Sequence, residues 1–337
     1  MADTKAILRE ATEALTRTQQ LEEIIQSTVE SSAALRTMTR LPNMSSNATE
    51  YPIMDNYPMA GFVEGDNGLK MTTDMKWKKK KLYAEEIAAV VAIPDNVVAD
   101  ASYDIWGQVR PRLIEAAGRV IDEAIFFGKG KPDSWRDGIL QGAVAAGNVV
   151  TATGDMYKDI FGTGGVIAKV EECGYFPDQI LSAVSMRAKL RELRDKSDRP
   201  LFLEDMKSAT PYTLGGMAMQ FPRNGAFDDT KANLIVGDFT QAVFAIRQDI
   251  TFDVFDSGVV SDDTGKVIYN LMQNDMKAIR MVIRLGWDIF NPLNALQTDE
   301  TKRFPFAVYV PAGSSVGEDT EEEGQAETLS AAKSSKK

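Results

Sequence analysis

The chain of 337 residues contains no histidine and a single cysteine. Histidine is the usual acid–base group near neutral pH, the usual partner of a nucleophilic serine or cysteine, and the commonest ligand of transition metals. Its absence argues against most hydrolytic and metal-dependent designs and leaves carboxylate chemistry as the remaining route to catalysis. Cys173 has no disulfide partner within the chain and lies beside two glutamates, so we expect a buried, unreactive thiol.

Long apolar runs and excess basic charge are also absent. There is no run of about 18 consecutive apolar residues, which a membrane-spanning helix requires. The first residues form a charged amphipathic pattern rather than a signal peptide. We therefore expect a protein that does not enter a membrane and is not exported by the standard route. The net charge of −11 argues against tight, direct nucleic-acid binding, because such binding depends on Lys and Arg neutralising phosphates.

The segment with the clearest pattern runs from Ser102 to Gly128 and predicts one long helix with a single apolar stripe. Ser102 is the predicted N-cap, and Gly128 is predicted to close the helix in the left-handed conformation. Pro111 lacks an N–H, so we expect the helix to bend between Gly107 and Pro111 or to restart with Pro111 as its first residue. The predicted stripe comprises Trp106, Val109, Leu113, Ala117, Val120, Ile121 and Ala124.

The two ends of the chain differ from its middle. Residues 3–38 predict an amphipathic helix that needs a partner surface, and residues 39–56 predict an extended arm. An ordinary terminal helix with a linker and a partner-seeking arm explain this segment equally well. From Pro311 onward the composition predicts a disordered tail, with acidic residues at 318–323.

A lysine-rich segment, Lys70–Tyr83, has a β-like pattern. Consecutive side chains of a strand point to opposite faces, so we expect neither face to be buried in the chain's own core. The simplest interpretation is a solvated edge hairpin whose lysines prevent aggregation. The functional interpretation is a projecting hairpin that pairs its lysines with acids of a neighbouring subunit, and a nucleic-acid patch is a third. The residues concerned are Lys76, Trp77, Lys78, Lys79, Lys80 and Lys81.

Short helices and strands are predicted around these segments. Ile87–Ile93 predicts a fully buried strand, and Asp95 is predicted to cap a short helix through Asp100. Residues 138–141 predict the entry of another strand. Residues 154–300 alternate helix and strand signals, which indicates an α/β or α+β unit.

Two patterns within and after that unit are more specific. A helix is predicted from Asp155 to Cys173, although Gly162, Gly164 and Gly165 weaken its middle. Residues 278–287 alternate apolar side chains with two arginines and predict a strand with one core face. Residues 304–310 are predicted to add a last edge strand.

Five short segments occur in a recognisable order between residues 51 and 310. Together they resemble the major capsid proteins of tailed bacteriophages, which have the Hong Kong ninety-seven phage fold. The segments are Val91–Asp100 before the long helix, Ile121–Gly130 at its end, Gly138–Leu140, Val236–Phe239 followed by Arg247–Ile250, and Met281–Asp288.

The resemblance implies an α+β fold, the tailed-phage major capsid fold. Its parts would be an N-terminal arm at 1–50, an extended E-loop hairpin at 51–85, a P-domain with the long spine helix at 86–140, an A-domain at 141–275, return strands of the P-domain at 276–310 and the tail at 311–337. The lysine strand would then make inter-subunit contacts. Trp106, Pro111, Leu113, Val120 and Ile121 would belong to the spine helix.

The same resemblance implies self-assembly into pentamers and hexamers that close into an icosahedral shell around double-stranded DNA. The DNA would be held without sequence-specific binding, in a virion assembled in the host cytoplasm. Only residues 1–50 precede the hairpin, so we expect a separate scaffolding protein or a terminal helix that serves part of that role. Portal and decoration proteins are further candidate partners. Some relatives crosslink a lysine to an asparagine, but no partner asparagine is evident here, so we predict noncovalent assembly.

Two alternatives remain. One is an encapsulin-like compartment with the same fold and protein cargo in place of DNA. The other is an enzyme that uses a carboxylate pair, either Asp253 with Asp256 or Glu171 with Glu172. These pairs are explained more simply as solvent-facing residues. We therefore assign no catalytic, cofactor-binding or metal-binding residues.

Overall fold

The fold is that of a computed structural model. It describes residues 32–56, 58–63, 70, 72–102, 104–194, 199–200, 202–204, 212–262 and 264–314. Most of the predicted N-terminal helix and most of the predicted tail lie outside these residues.

The long helix predicted from the sequence is present. It ends at Phe127, and Gly128 follows with φ of 65°, as predicted. It begins at Ile105 after Asp104, so the prediction of Ser102 as N-cap is wrong. The described helices are α1 (Ala33–Thr37), α2 (Asp95–Asp100), α3 (Ile105–Phe127), α4 (Ile139–Ala146), α5 (Met156–Phe161), α6 (Val166–Glu172) and α7 (Met186–Glu192).

Helix α3 is continuous through Pro111, so a restart of the helix at Pro111 is excluded. Apolar contacts on both sides of the proline explain this continuity. Trp106 and Val109 before it, and Leu113 and Ala117 after it, belong to one apolar cluster. Both halves of the helix pack against the same strands. The helix therefore continues through Pro111 although this residue lacks the amide N–H of one helical hydrogen bond. The bend at Pro111 stays a prediction.

Within the described residues, the strands form two large sheets and two pairs. They are β1 (Thr39–Arg40), β2 (Ala48–Met54), β3 (Trp77–Tyr83), β4 (Glu85–Pro94), β5 (Val149–Thr151), β6 (Gln179–Ser182), β7 (Phe202–Glu204), β8 (Tyr212–Leu214), β9 (Met217–Gln220), β10 (Leu234–Gly237), β11 (Ala242–Phe255), β12 (Val259–Ser261), β13 (Val267–Asn270), β14 (Met276–Ile289) and β15 (Phe306–Val310).

The four-stranded sheet has the order β1-β11-β14-β4. Strand β14 is present as predicted and buries Ile279 and Met281 with α3, whereas Arg280 between them is exposed. The predicted single core face is wrong, because Ala278 and Val282 on the arginine face are buried too. The fully buried strand predicted at Ile87–Ile93 is wrong, because β4 is an edge strand with alternately exposed residues. Helix α3 covers one face of β4, and Val90 on the other face is 47% exposed.

The seven-stranded sheet has the order β5-β15-β10-β6-β9-β8-β7. Strand β15 lies inside it, parallel to β5 and antiparallel to β10, so the prediction of an edge strand is wrong. All five of its residues are buried, because α4 and α6 both contact it. Strands β14 and β15 therefore belong to different sheets, although the predicted range 276–310 placed them together.

Two further local predictions are wrong. Residues 139–141 begin helix α4 rather than a strand; the Gln141 side chain donates a hydrogen bond to the Phe127 carbonyl and ties the start of α4 to the end of α3. Asp95 is the first residue of α2, and its side chain does not cap that helix.

The helix predicted from Asp155 to Cys173 is two helices, α5 and α6. Asp155 caps α5 by accepting a hydrogen bond from the Lys158 amide. The glycines then end it, since Gly164 has φ of 80° and a Cβ at Gly165 would lie 2.9 Å from three carbonyl oxygens. Backbone strain therefore outweighs helix propensity at this point.

Candidate assembly surfaces

Of the predicted segment Lys70–Tyr83, Trp77–Tyr83 is a strand and residues 72–76 are not. This strand pairs antiparallel with Ala48–Met54. Strands β2 and β3 form a two-stranded ribbon with Lys80 opposite Tyr51 and Lys81 opposite Glu50. The ribbon is joined to the body at its base, where Leu82 is buried with Met44 and Ala245. The prediction that neither face of this strand packs on the chain's own core is therefore wrong.

Two lysines pair inside the ribbon. Nζ of Lys79 lies 2.9 Å from one Glu50 carboxylate oxygen, and Nζ of Lys81 lies 3.4 Å from the other. The hydrogen bond from Lys79, followed by that from Lys81, lowers the pKa of Glu50. Because all three side chains are largely exposed, these ion pairs contribute little to stability.

The other two lysines face the body. Nζ of Lys78 lies 2.9 Å from carboxylate oxygens of both Asp55 and Glu300. Lys80 is half-buried and donates a hydrogen bond of 2.7 Å to the Ile289 carbonyl oxygen. Burial lowers the pKa of Lys80. The acids paired with these lysines thus belong to the same chain, whereas the sequence suggested acids of a neighbouring subunit.

Apolar side chains lie uncovered along the ribbon and beyond it. Phe62 is fully exposed, and Met59, Met75 and Trp77 are 67%, 48% and 60% exposed. Lys76, next to Trp77, is exposed as well. Exposed apolar residues concentrated on one projecting segment are typical of a contact surface.

The predicted residues of helix α3 divide into three groups. Leu113 and Ile121 are buried, and Trp106 and Pro111 are half-buried. Val120 is 48% exposed, so its prediction as part of the buried stripe is wrong. Its neighbour Ile121 takes the core position, since the stripe follows the helical spacing through Leu113, Ala117, Ile121 and Ala124.

Asp122, on the buried side of α3, was not anticipated from the sequence. It is fully buried and accepts hydrogen bonds from the Ser32 hydroxyl, the Ala33 and Ala34 amides and the Asn224 side chain. Burial raises its pKa, against the opposing effect of these hydrogen bonds. The carboxylate thus holds the start of α1 against the spine of the chain. An acid beside Ile121 and close to Ile125 on one helical face is the signal that could have revealed it.

The carboxylate pairs considered for catalysis lie on the surface. Asp253 forms an ion pair of 3.0 Å with Arg280, and Asp256 is exposed. Glu171 and Glu172 are exposed on α6. Cys173 is buried, as expected.

Neither metal clusters nor membrane helices occur in the described part of the chain. Within it, no group of three or more His, Cys, Asp or Glu residues is arranged to hold a metal ion. No helix in the same residues is long and apolar enough to cross a membrane.

The comparisons with known proteins agree with this architecture. The sequence model of the phage capsid family matches residues 13–298. A chain from Microbacterium phage Oxtober96 is 31% identical, with a TM-score of 0.73 and coverage of 91% of this chain and 100% of that one. A chain from Mycobacterium phage Bobi is 28% identical, with a TM-score of 0.73 and coverage of 92% and 100%. A search of curated proteins found no match.

The chain therefore belongs to the phage capsid family. It is a structural major capsid protein of a tailed phage, a component of the virion that associates with its own copies into an icosahedral shell. The family assignment implies a structural role rather than catalysis.

Proposed function

We propose that this chain forms pentamers and hexamers in which the β2–β3 ribbon of each subunit lies over a neighbour, and that these capsomers close into the shell. The observation that carries the proposal is the segment beyond the ribbon, where Phe62 is fully exposed. Burial of an exposed aromatic side chain of a projecting arm against another surface is favourable in free energy. In a shell built of copies of this chain, the neighbouring copy supplies that surface.

The proposed parts keep the ranges expected from the resemblance, with one change. The arm covers residues 1–50, the E-loop 51–85, the P-domain 86–140 with 276–305, and the A-domain 141–275. Because β15 pairs with β5 and β10, residues 306–310 are assigned to the A-domain.

The shell is proposed to enclose double-stranded DNA without sequence-specific binding. The net charge of −11 supports this, since an acidic chain neutralises few phosphates. Assembly is proposed to be noncovalent, in the host cytoplasm, on a separate scaffolding protein, with portal and decoration proteins as further partners. Purified particles should contain DNA; particles filled with protein cargo and free of DNA would overturn this part.

The ribbon's role is tested by replacing residues 58–75 with a short Gly-Ser linker. We expect a folded chain by circular dichroism that does not close shells by electron microscopy. Phe62→Ser should also weaken shell closure, and Thr72→Ser, at an exposed polar residue of the same segment, is the control. Intact shells from the linker variant would refute the role.

Pro111 is proposed as the point where bending of α3 tunes shell curvature, because it removes one amide from the helix. Pro111→Ala restores that amide and should shift the distribution of particle diameters measured by electron microscopy. An unchanged diameter and assembly yield would remove this proposal.

A further inference from the structure

The four consecutive lysines of β3 have two different environments. Lys79 and Lys81 contact Glu50 on the other strand of the ribbon. Lys78 and Lys80 reach the body segment 289–300, which is distant in sequence. The period of two along a strand produces this division, because it places alternate side chains on opposite faces.

Beyond the base of the ribbon at Leu82, contacts at two positions along β3 hold the ribbon against this segment. Lys80 donates to the Ile289 carbonyl, and Tyr51, directly opposite Lys80, places its ring 5.6 Å from the ring of Phe290. One register pair of the ribbon therefore contacts two consecutive residues of the body.

Lys78 makes the second contact, two residues further along the strand. Its ammonium group bridges Asp55 of the ribbon and Glu300 of the body, each at 2.9 Å. Two contacts about 7 Å apart along a strand define a direction, whereas one contact leaves the ribbon free to pivot.

The surroundings of Lys80 make its contact specific. An open cleft of about 510 Å³ adjoins it, lined also by Arg136, Asn291, Glu300 and Arg303. The Arg136 guanidinium is paired with Asp288 at 3.0 Å, and Arg303 donates to carbonyl oxygens of Gln297 and Thr298. The Ile289 carbonyl also accepts a hydrogen bond of 3.2 Å from the Arg136 guanidinium, so Lys80 and Arg136 share this acceptor.

We propose that Lys78 and Lys80 are positioning residues that set the angle at which the β2–β3 ribbon leaves the body, and so where its far end meets a neighbouring subunit. Lys79 and Lys81 do not have this role. The contact with a neighbouring subunit rests on the proposed function, whereas the angle of the ribbon on its own chain does not.

A small rotation at the base has a large effect at the far end. Seven residues of strand extend about 23 Å, so a rotation of about 10° displaces the far end by about 4 Å. Displacements of this size are enough to misplace an interface contact. The angle therefore matters for closure even though the contacts that set it are few.

The test compares Lys78→Met/Lys80→Met with the matched pair Lys79→Met/Lys81→Met. Each double substitution removes two charges from the same strand and keeps two long side chains. The ion pairs of Lys78, Lys79 and Lys81 are exposed, and the Ile289 carbonyl keeps its hydrogen bond from Arg136 when Lys80 is replaced. The melting temperature of the unassembled chain should therefore change little in both variants. If the angle of the ribbon changes while the melting temperature does not, Lys78 and Lys80 position the ribbon rather than stabilise the fold.

The angle is measured on the unassembled chain by spin labels at Ala60→Cys and Glu171→Cys in a Cys173→Ala background. We expect Lys78→Met/Lys80→Met to shift or broaden the inter-label distance by about 4 Å or more, the displacement expected from a 10° rotation. The matched pair should leave the distance unchanged. An unchanged distance in Lys78→Met/Lys80→Met, or an equal change in both pairs, overturns the proposal.

Shell closure is then measured by electron microscopy on the same variants. Lys78→Met/Lys80→Met should give open or irregular shells, and the matched pair should give normal ones. If the distance changes but shells stay normal, the link from angle to closure is overturned. If the 58–75 linker variant also closes normal shells, the proposed function is overturned. The distance measurement then still tests whether Lys78 and Lys80 set the angle of the ribbon.

Discussion

The two large sheets of this chain are covered to different extents. In the seven-stranded sheet, every residue of β10 and β15 is buried. In the four-stranded sheet, α3 covers one face, while Val90, Val254 and Phe255 remain exposed on β4 and β11. One sheet completes its packing within the chain, and the other leaves apolar surface open in the isolated chain. Open apolar surface of this kind fits a protein whose copies associate.

The largest expected difference between the sheets is in folding stability. Phe306 is fully buried and packs edge-to-face on Phe239, with ring centroids 4.9 Å apart. Phe306→Ala should lower the free energy of unfolding by about 3–5 kcal/mol. Val90→Ala, at an exposed position, should change it by less than about 0.5 kcal/mol. Chemical denaturation of the unassembled chain measures both, and equal effects would break the comparison.

Helix α3 allows the same comparison between adjacent residues. Ile121 is buried and Val120 is 48% exposed. Ile121→Ala should destabilise the chain by about 2–4 kcal/mol, because it removes buried methylene groups and leaves a cavity. Val120→Ala should cost less than about 0.5 kcal/mol. Thermal denaturation distinguishes them; a larger loss for Val120→Ala would mean that the helix faces the core differently.

Asp122 sharpens the comparison where the N-terminal segment joins the body. Asp122→Ala leaves the Ser32 hydroxyl and the Ala33 and Ala34 amides without their buried acceptor. We expect a loss of about 2 kcal/mol and faster proteolysis before Ala33. Ser32→Ala removes one donor to Asp122 and the cap that accepts from the Leu35 amide, and should cost about 1 kcal/mol. Unchanged proteolysis in Asp122→Ala would show that α1 is held by its apolar contacts alone.

The smallest expected effect is the pH dependence of the Lys78–Glu300 contact. The hydrogen bond from Lys78 lowers the pKa of Glu300. The contact between Lys78 and Glu300 therefore stabilises the chain above the ordinary carboxyl pKa. This stabilisation is lost as the pH falls through the lowered pKa of Glu300. With both side chains more than half exposed, this stabilising contribution is small. NMR titration of Glu300 in the parent chain and in Lys78→Met should show that its pKa rises toward the ordinary carboxyl range in the variant.

Much of the fold follows from local patterns, and the exceptions have identifiable causes. The strands at Met276–Ile289 and Trp77–Tyr83 were predicted because an extended pattern is local, although burial on β14 does not alternate cleanly. The short apolar runs at Ile87–Ile93 and at 138–141 were assigned wrongly, because such runs do not reveal how many faces will be covered or whether a helix forms.

The candidate assembly surfaces were predictable only in part. The sequence indicated a lysine strand with charge on both faces, and this strand is present. It did not reveal that Lys78 and Lys80 would contact residues 289–300 of the same chain. It also did not reveal Asp122, whose partners Ser32 and Asn224 lie about a hundred residues away on either side.

Local sequence patterns were enough to predict the end of the long helix at Gly128 and the extended backbone of β3 and β14. Each of these depends on the backbone freedom of a few adjacent residues. Only the tertiary structure decided that β15 lies inside a sheet, that Val120 faces outward, and which lysines contact the body. Burial and pairing depend on residues brought together from distant positions, and no local pattern contains that information.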